Sequence, residues 1–239
     1  MRDDICTIPV SEGFEPKDGC PLCRMRAIAE KRVITYIMGA AMMEPDIRMK
    51  TNEMGFCSDH YAMMRKANNR LSLALMLDSH LTEIKEDILG EGKKIFKQSD
   101  KKCAYKAVEL EHTCFVCDRM NYGMEHMLDT VYRVYEKEPS FQQLFSEQTE
   151  LCLPHYALLV SNIPDRMDKK AADRMKSAAR KLVSDYADEL KADVRHFCDM
   201  FDYRNNGEDA DWGNSRDAIE RTIAFLNGDL PESKKNKIR

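Results

Sequence analysis

The Cys-x-x-Cys spacing of Cys20-Pro21-Leu22-Cys23 recurs in Cys114-Phe115-Val116-Cys117, 94 residues further on, and a Cys-x-x-His follows each pair. Cys57 with His60 comes after 33 intervening residues, Cys152 with His155 after 34. Six of the nine cysteines and two of the six histidines fall into this scheme. Thiolate and imidazole ligands at such short spacing are what a tetrahedral Zn²⁺ site requires, so the pattern predicts two metal sites, each with three thiolates and one imidazole. Four protein ligands leave no open position for water, which makes the expected sites structural rather than catalytic.

Four half-sites can be joined in three ways. Internal duplication favours joining within each half: Cys20, Cys23, Cys57 and His60 in one site, and Cys114, Cys117, Cys152 and His155 in the other. Iron–sulfur ligation is the weaker alternative, because its usual patterns are all-cysteine. A thioredoxin-type reading of Cys20-Pro21-Leu22-Cys23 wants a βαβ context and leaves Cys57 and His60 without a role.

Hydrophobic periodicity is helical throughout, and no period-two strand pattern persists. Residues 1–19, with Pro9, Gly13, Pro16 and Gly19, read as an extended arm. Pro21 suits a first helical position, and a helix from Leu22 to about Met43 ends at Glu44-Pro45. A short helix over Asp46–Glu53 stops at Gly55, and Ser58 or Asp59 caps the helix that carries His60. Leu71–Leu89 places Ala74, Leu77, Leu81, Ile84 and Ile88 along one seam, closed by Gly90 and Gly92. The second half repeats the plan, with Glu138-Pro139 offset by 94 residues from Glu44-Pro45. A helix from about Lys101 precedes the second pair, and Met120, Met124, Met127 or Leu128, Val131 and Val134 mark the helix after it. A long helix then carries Met175, Ala178, Leu182, Tyr186, Leu190, Phe197 and Phe201 on one side. After a loop over Asn205–Asn214, Ser215 caps a last helix, Ala218–Leu226, stopped by Gly228. The fold class is all-α: two duplicated helical units, 1–98 and 99–203, each with its own metal site, and a C-terminal appendage, 204–239, in one packed body.

Several phrases carry a resemblance: Thr7-Ile8-Pro9-Val10, Cys20-Pro21-Leu22-Cys23, Gly55-Phe56-Cys57-x-x-His60, Arg70-Leu71-Ser72-Leu73-Ala74-Leu75-Met76-Leu77 and Cys152-Leu153-Pro154-His155. From about Thr7 to Leu226 the chain resembles a bacterial family of helical proteins known only as a domain of unknown function. That resemblance implies no activity.

A net charge of −4 gives no reason to expect a nucleic-acid partner, and no run approaches the ~20 apolar residues of a membrane span. No signal-peptide core follows Met1, so a cytoplasmic location is expected, where thiols stay reduced. Phosphate-loop, calcium-loop, His-Glu-x-x-His and Gly-x-Ser-x-Gly patterns are missing, and no carboxylate pair is singled out as acid and base. An enzyme reading has no nucleophile to name. His80 reads as a hydrogen-bonded core residue, and His112, His126, His196, Cys6, Cys103 and Cys198 receive no role. The sixteen methionines read as core filling ahead of a peptide-binding surface. These readings converge on a non-enzymatic zinc-binding scaffold or adaptor with protein or peptide partners. The alternative is a thiol-based redox or metal sensor.

Overall fold

The structure, a computed structural model, describes residues 7–90, 99–202, 204 and 211–228. Residues 91–98 with the expected helix stop Gly92, most of the loop over Asn205–Asn214, the whole tail Pro231–Arg239, and Cys6 lie outside the described residues. The described residues are all-α, with eleven helices and no strand. In order they are α1 (Thr7–Phe14), α2 (Pro21–Met38), α3 (Pro45–Met54), α4 (Ser58–Lys66), α5 (Arg70–Glu83), α6 (Asp100–Glu111), α7 (Phe115–Lys137), α8 (Pro139–Ser146), α9 (Leu153–Ser161), α10 (Lys169–Asp199) and α11 (Ala218–Asn227).

Local chemistry accounts for most of the boundaries. Glu44 and Glu138 are the N-caps of α3 and α8, and Pro45 and Pro139 take the first helical position, where a missing N–H costs nothing. Gly55 and Gly228 end α3 and α11 with φ of 58° and 77°, the left-handed region that favours glycine. The helix read as running to Met43 breaks earlier, at Gly39, and continues as a 3₁₀ turn over Ala40–Met43. Beyond Glu83, α5 relaxes into a π turn over Ile84–Ile88, closed by Leu89 N–H donating to Ile84 O at 2.9 Å.

Four other expectations are corrected. The stretch read as an extended arm contains α1, because Pro9 lies in the first turn, where no partner is lost, and Val10 and Phe14 share one face and are both buried. On α5 the buried face is Leu73, Met76 and His80, while Leu81, on the expected seam, is 58% exposed. The segment is apolar almost all round, so periodicity alone does not choose the face. On α10 the buried stripe runs through Ala171, Met175, Ala179, Leu182, Tyr186 and Leu190, and Phe201 lies 68% exposed beyond the helix. The cap of α11 is Asp217; Ser215 instead donates to Trp212 O within a 3₁₀ turn.

The described residues form two compact units. One comprises those of Met1–Arg26 and Glu125–Leu230, the other those of Ala27–Met124, so the division falls within α2 and within α7. In the first unit Phe14 packs on Phe141 and Phe145 at ring-centroid distances of 5.0 and 5.9 Å, and Tyr186 meets Phe225 edge-on at 5.8 Å. There Arg221 ties α11 to α10 by donating to Asp193 at 2.7 Å, and pairs with Asp217 at 3.0 Å. The second unit has its core around Ile37, Met64, Met76, Phe115 and Val116. Eleven of the fifteen described methionines are buried, which supports their reading as core filling.

Phe14 is fully buried, and Phe14→Ala is expected to cost about 3–5 kcal/mol in urea unfolding. A loss below about 1 kcal/mol is what an undocked arm would give.

Candidate metal centres

All four Cys-containing motifs sit at helix starts. Cys20, Cys57, Cys114 and Cys152 immediately precede α2, α4, α7 and α9. Each carbonyl accepts the first intrahelical bond, from Arg24, Tyr61, Asp118 and Tyr156 at 3.2, 3.0, 3.0 and 2.9 Å. The second member of each motif, Cys23, His60, Cys117 or His155, is then the third helical residue, on the same side of the first turn as the cap position. Cys57, not Ser58 or Asp59, is the N-cap of α4, and its sulfur makes no capping bond. It turns toward the neighbouring ligand atoms instead.

The eight residues form two groups, each of which could hold a metal ion. Cys20, Cys23, Cys152 and His155 make the first centre; Cys57, His60, Cys114 and Cys117 make the second. In both, the four ligand atoms lie within 4.8 Å of one another. At the first, His155 Nδ1 is 3.1 Å from the Cys152 sulfur, 3.2 Å from Cys23 and 3.6 Å from Cys20, and Cys23 and Cys152 are 3.6 Å apart. At the second, His60 Nδ1 is 3.1 Å from Cys57, 3.2 Å from Cys114 and 3.5 Å from Cys117, with Cys57 and Cys117 4.0 Å apart. A tetrahedron with ~2.3 Å metal–sulfur bonds has edges of ~3.8 Å, and somewhat shorter edges to nitrogen. The observed edges fall around these values. Disulfides, at ~2.05 Å between sulfurs, are a different geometry.

The expected pairing within each half is therefore corrected. Each centre takes its Cys-x-x-Cys from one half of the sequence and its Cys-x-x-His from the other. Helix lengths give the reason. After Cys20 the chain climbs 18 residues of α2, ~27 Å, and α3, with 10 residues, recovers at most ~15 Å. After Cys114, α7 rises 23 residues, ~34 Å, against ~12 Å for the 8 of α8. In helix length alone, neither excursion retraces its outward path.

Electrostatics within the groups are uneven. Burial would raise the Cys114 thiol, but hydrogen bonds with His60 and with the backbone N–H groups of Cys117 and Cys57 bring it down to about 6. Burial, and then the charge of Cys114, push Cys117 up to about 12. His60 is lifted to about 10: burial opposes this, but its bonds to Cys114 and Glu30 prevail. At the first centre burial alone would raise Cys20, yet bonds with Cys152, Cys23 and His155 hold it well below the ordinary thiol range. Cys152 is pushed up to about 12, chiefly by its bond to Cys20. One thiolate forms readily in each group and then resists a neighbour's ionisation, a repulsion that a divalent cation relieves.

The surroundings include residues that the sequence did not mark as neighbours of a centre. Glu30, on α2, accepts from His60 Nε2 at 3.0 Å. Gly228 is so close to the first centre that a Cβ there would lie 3.9 Å from the Cys152 sulfur and 4.0 Å from that of Cys23. Neither residue belongs to a spaced motif, so only the fold reveals them. His80 is buried, with Nδ1 2.6 Å from Asn52 O, as a core histidine should be. His196 Nε2 bonds to Asp211 O at 3.0 Å, and His112 is the C-cap of α6. Among the described residues Cys103 and Cys198 join neither group.

No helix among the described residues is long and apolar enough to cross a membrane. No curated protein and no solved structure matches the chain. A family model does, across residues 1–233, which bears out the resemblance carried by the cysteine motifs. The chain belongs to DUF6062, a family of unknown function.

Proposed function

We propose that the chain is a non-enzymatic, cytoplasmic scaffold or adaptor whose helices are clamped by two structural Zn²⁺ ions, one at each centre, and which presents its surface to protein or peptide partners. The ligand geometry carries this reading. Three sulfurs and one imidazole nitrogen stand at tetrahedral spacing in each group, and that donor set favours zinc among the divalent metals. Ligand atoms within 4.8 Å of one another suit a single ion and leave no room for the bridging sulfides of an iron–sulfur cluster. Four protein ligands close the coordination sphere, so no water is held for hydrolysis. Internal duplication is part of the proposal, supported by the matched Glu-Pro starts of α3 and α8 and the matched Cys caps of α4 and α9. The net charge of −4 argues for partners other than nucleic acid.

Protein purified without added metal is expected to contain two zinc ions per chain by elemental analysis, and to keep them for minutes in sub-millimolar peroxide. Near-zero zinc with no iron in its place would overturn the metal reading. Fast zinc release, as peroxide is reduced to water and pairs of thiolates join as disulfides, reversed by a thiol reductant and zinc, would replace the scaffold with a redox sensor.

Zinc uptake should also depend on pH in a defined direction. Without metal, Cys117 and Cys152, near 12, and His60, near 10, hold their protons at neutral pH, whereas the metal-bound forms have lost them. Uptake therefore releases protons, and affinity should rise with pH over ~6–8. Adding zinc to metal-free protein in weakly buffered solution should acidify it; proton-neutral uptake would contradict the assignment.

A further inference from the structure

We infer that Glu30 is a positioning residue for the second centre, one that fixes which nitrogen of His60 faces the metal. This rests on the metal reading above. Glu30 lies on α2, seven residues beyond Cys23, and belongs to no ligand motif. Its side chain is 12% exposed and that of His60 6%, so the 3.0 Å contact between Oε1 and Nε2 is screened from water.

A neutral imidazole carries one N–H and one lone pair. With a carboxylate accepting at Nε2, the N–H is held there and the lone pair is left on Nδ1. Nδ1 is the atom 3.1, 3.2 and 3.5 Å from the three sulfurs. The same bond orients the ring plane and makes Nδ1 a stronger donor, the usual effect of a carboxylate behind a metal-bound histidine. Burying a carboxylate is costly unless it is paired, and His60 supplies the pairing.

The two centres differ in this respect. At the 94-residue offset that carries Cys20 to Cys114 and Cys23 to Cys117, the residue corresponding to Glu30 is Met124, a buried thioether and at best a weak acceptor. Among the described residues the carboxylate is thus a feature of one centre, and its loss should be felt at one metal alone.

The test is zinc transfer from the full-length, two-zinc protein to a chromogenic chelator, with newly uncovered cysteines alkylated and located by mass spectrometry. Glu30→Ala is expected to weaken one of the two zinc ions about 10–100-fold, uncovering Cys57, Cys114 and Cys117, and to leave Cys20, Cys23 and Cys152 protected as in the wild type. Glu30→Gln, which keeps an acceptor oxygen without the charge, should weaken the same ion less. If two zinc ions remain as tightly held in Glu30→Ala as in the wild type, the role of Glu30 is overturned and the metal reading stands. Equal loosening of both ions with a lowered Tm would mark a merely structural residue and overturn it as well. A wild-type protein without zinc would instead bring down the metal reading itself.

Discussion

Three thiols and an imidazole crowd within 4.8 Å at each centre, and their mutual repulsion on ionisation is the constraint on which the rest of the structure turns. Two helix starts converge at every such point, α2 with α9 and α4 with α7. Helix N-termini bring unsatisfied N–H groups and a partial positive charge, which favour thiolates but do not cancel three of them. A divalent cation would complete the balance and leave each complex with a net charge near −1. With Glu30 behind His60, the second centre adds a further carboxylate to this balance.

Chain connectivity follows from the same pairing. The second centre spans 60 residues between Cys57 and Cys117 and lies nested, in sequence, inside the first, which spans 129 between Cys23 and Cys152. Closing a loop of the larger size costs about 5 kcal/mol in chain entropy, whereas zinc binding in small finger peptides contributes about 10–16 kcal/mol. A metal bound at each centre would be enough to hold contacts this remote in sequence. The crossed pairing also means that neither half of the sequence contains a complete centre, although each half contains both kinds of half-site.

Much of this was legible in the residues. The Glu-Pro helix starts, the glycine stops, the buried methionines and the Cys-x-x-Cys and Cys-x-x-His half-sites are short-range features, and one or two turns of chain determine them. What escaped depends on longer range. The α5 stripe was misplaced because Leu71–Leu77 is apolar on nearly every side, and α1 was missed because Pro9 and Gly13 look like breakers until Val10 and Phe14 find a core. Pairing of the half-sites depends on how far α2 and α7 climb, which spacing between cysteines does not record. Glu30 has no motif at all, and only the packing of α2 beside α4 brings it to His60.

Crossed pairing is the central claim, and two double variants decide it by zinc content. Cys20→Ser with Cys152→Ser should remove one equivalent and leave the other in place, because both residues serve the first centre. Cys20→Ser with Cys57→Ser should remove both. The reverse result, one zinc ion retained by the Cys20/Cys57 variant and none by the Cys20/Cys152 variant, would restore pairing within each half and contradict the structure.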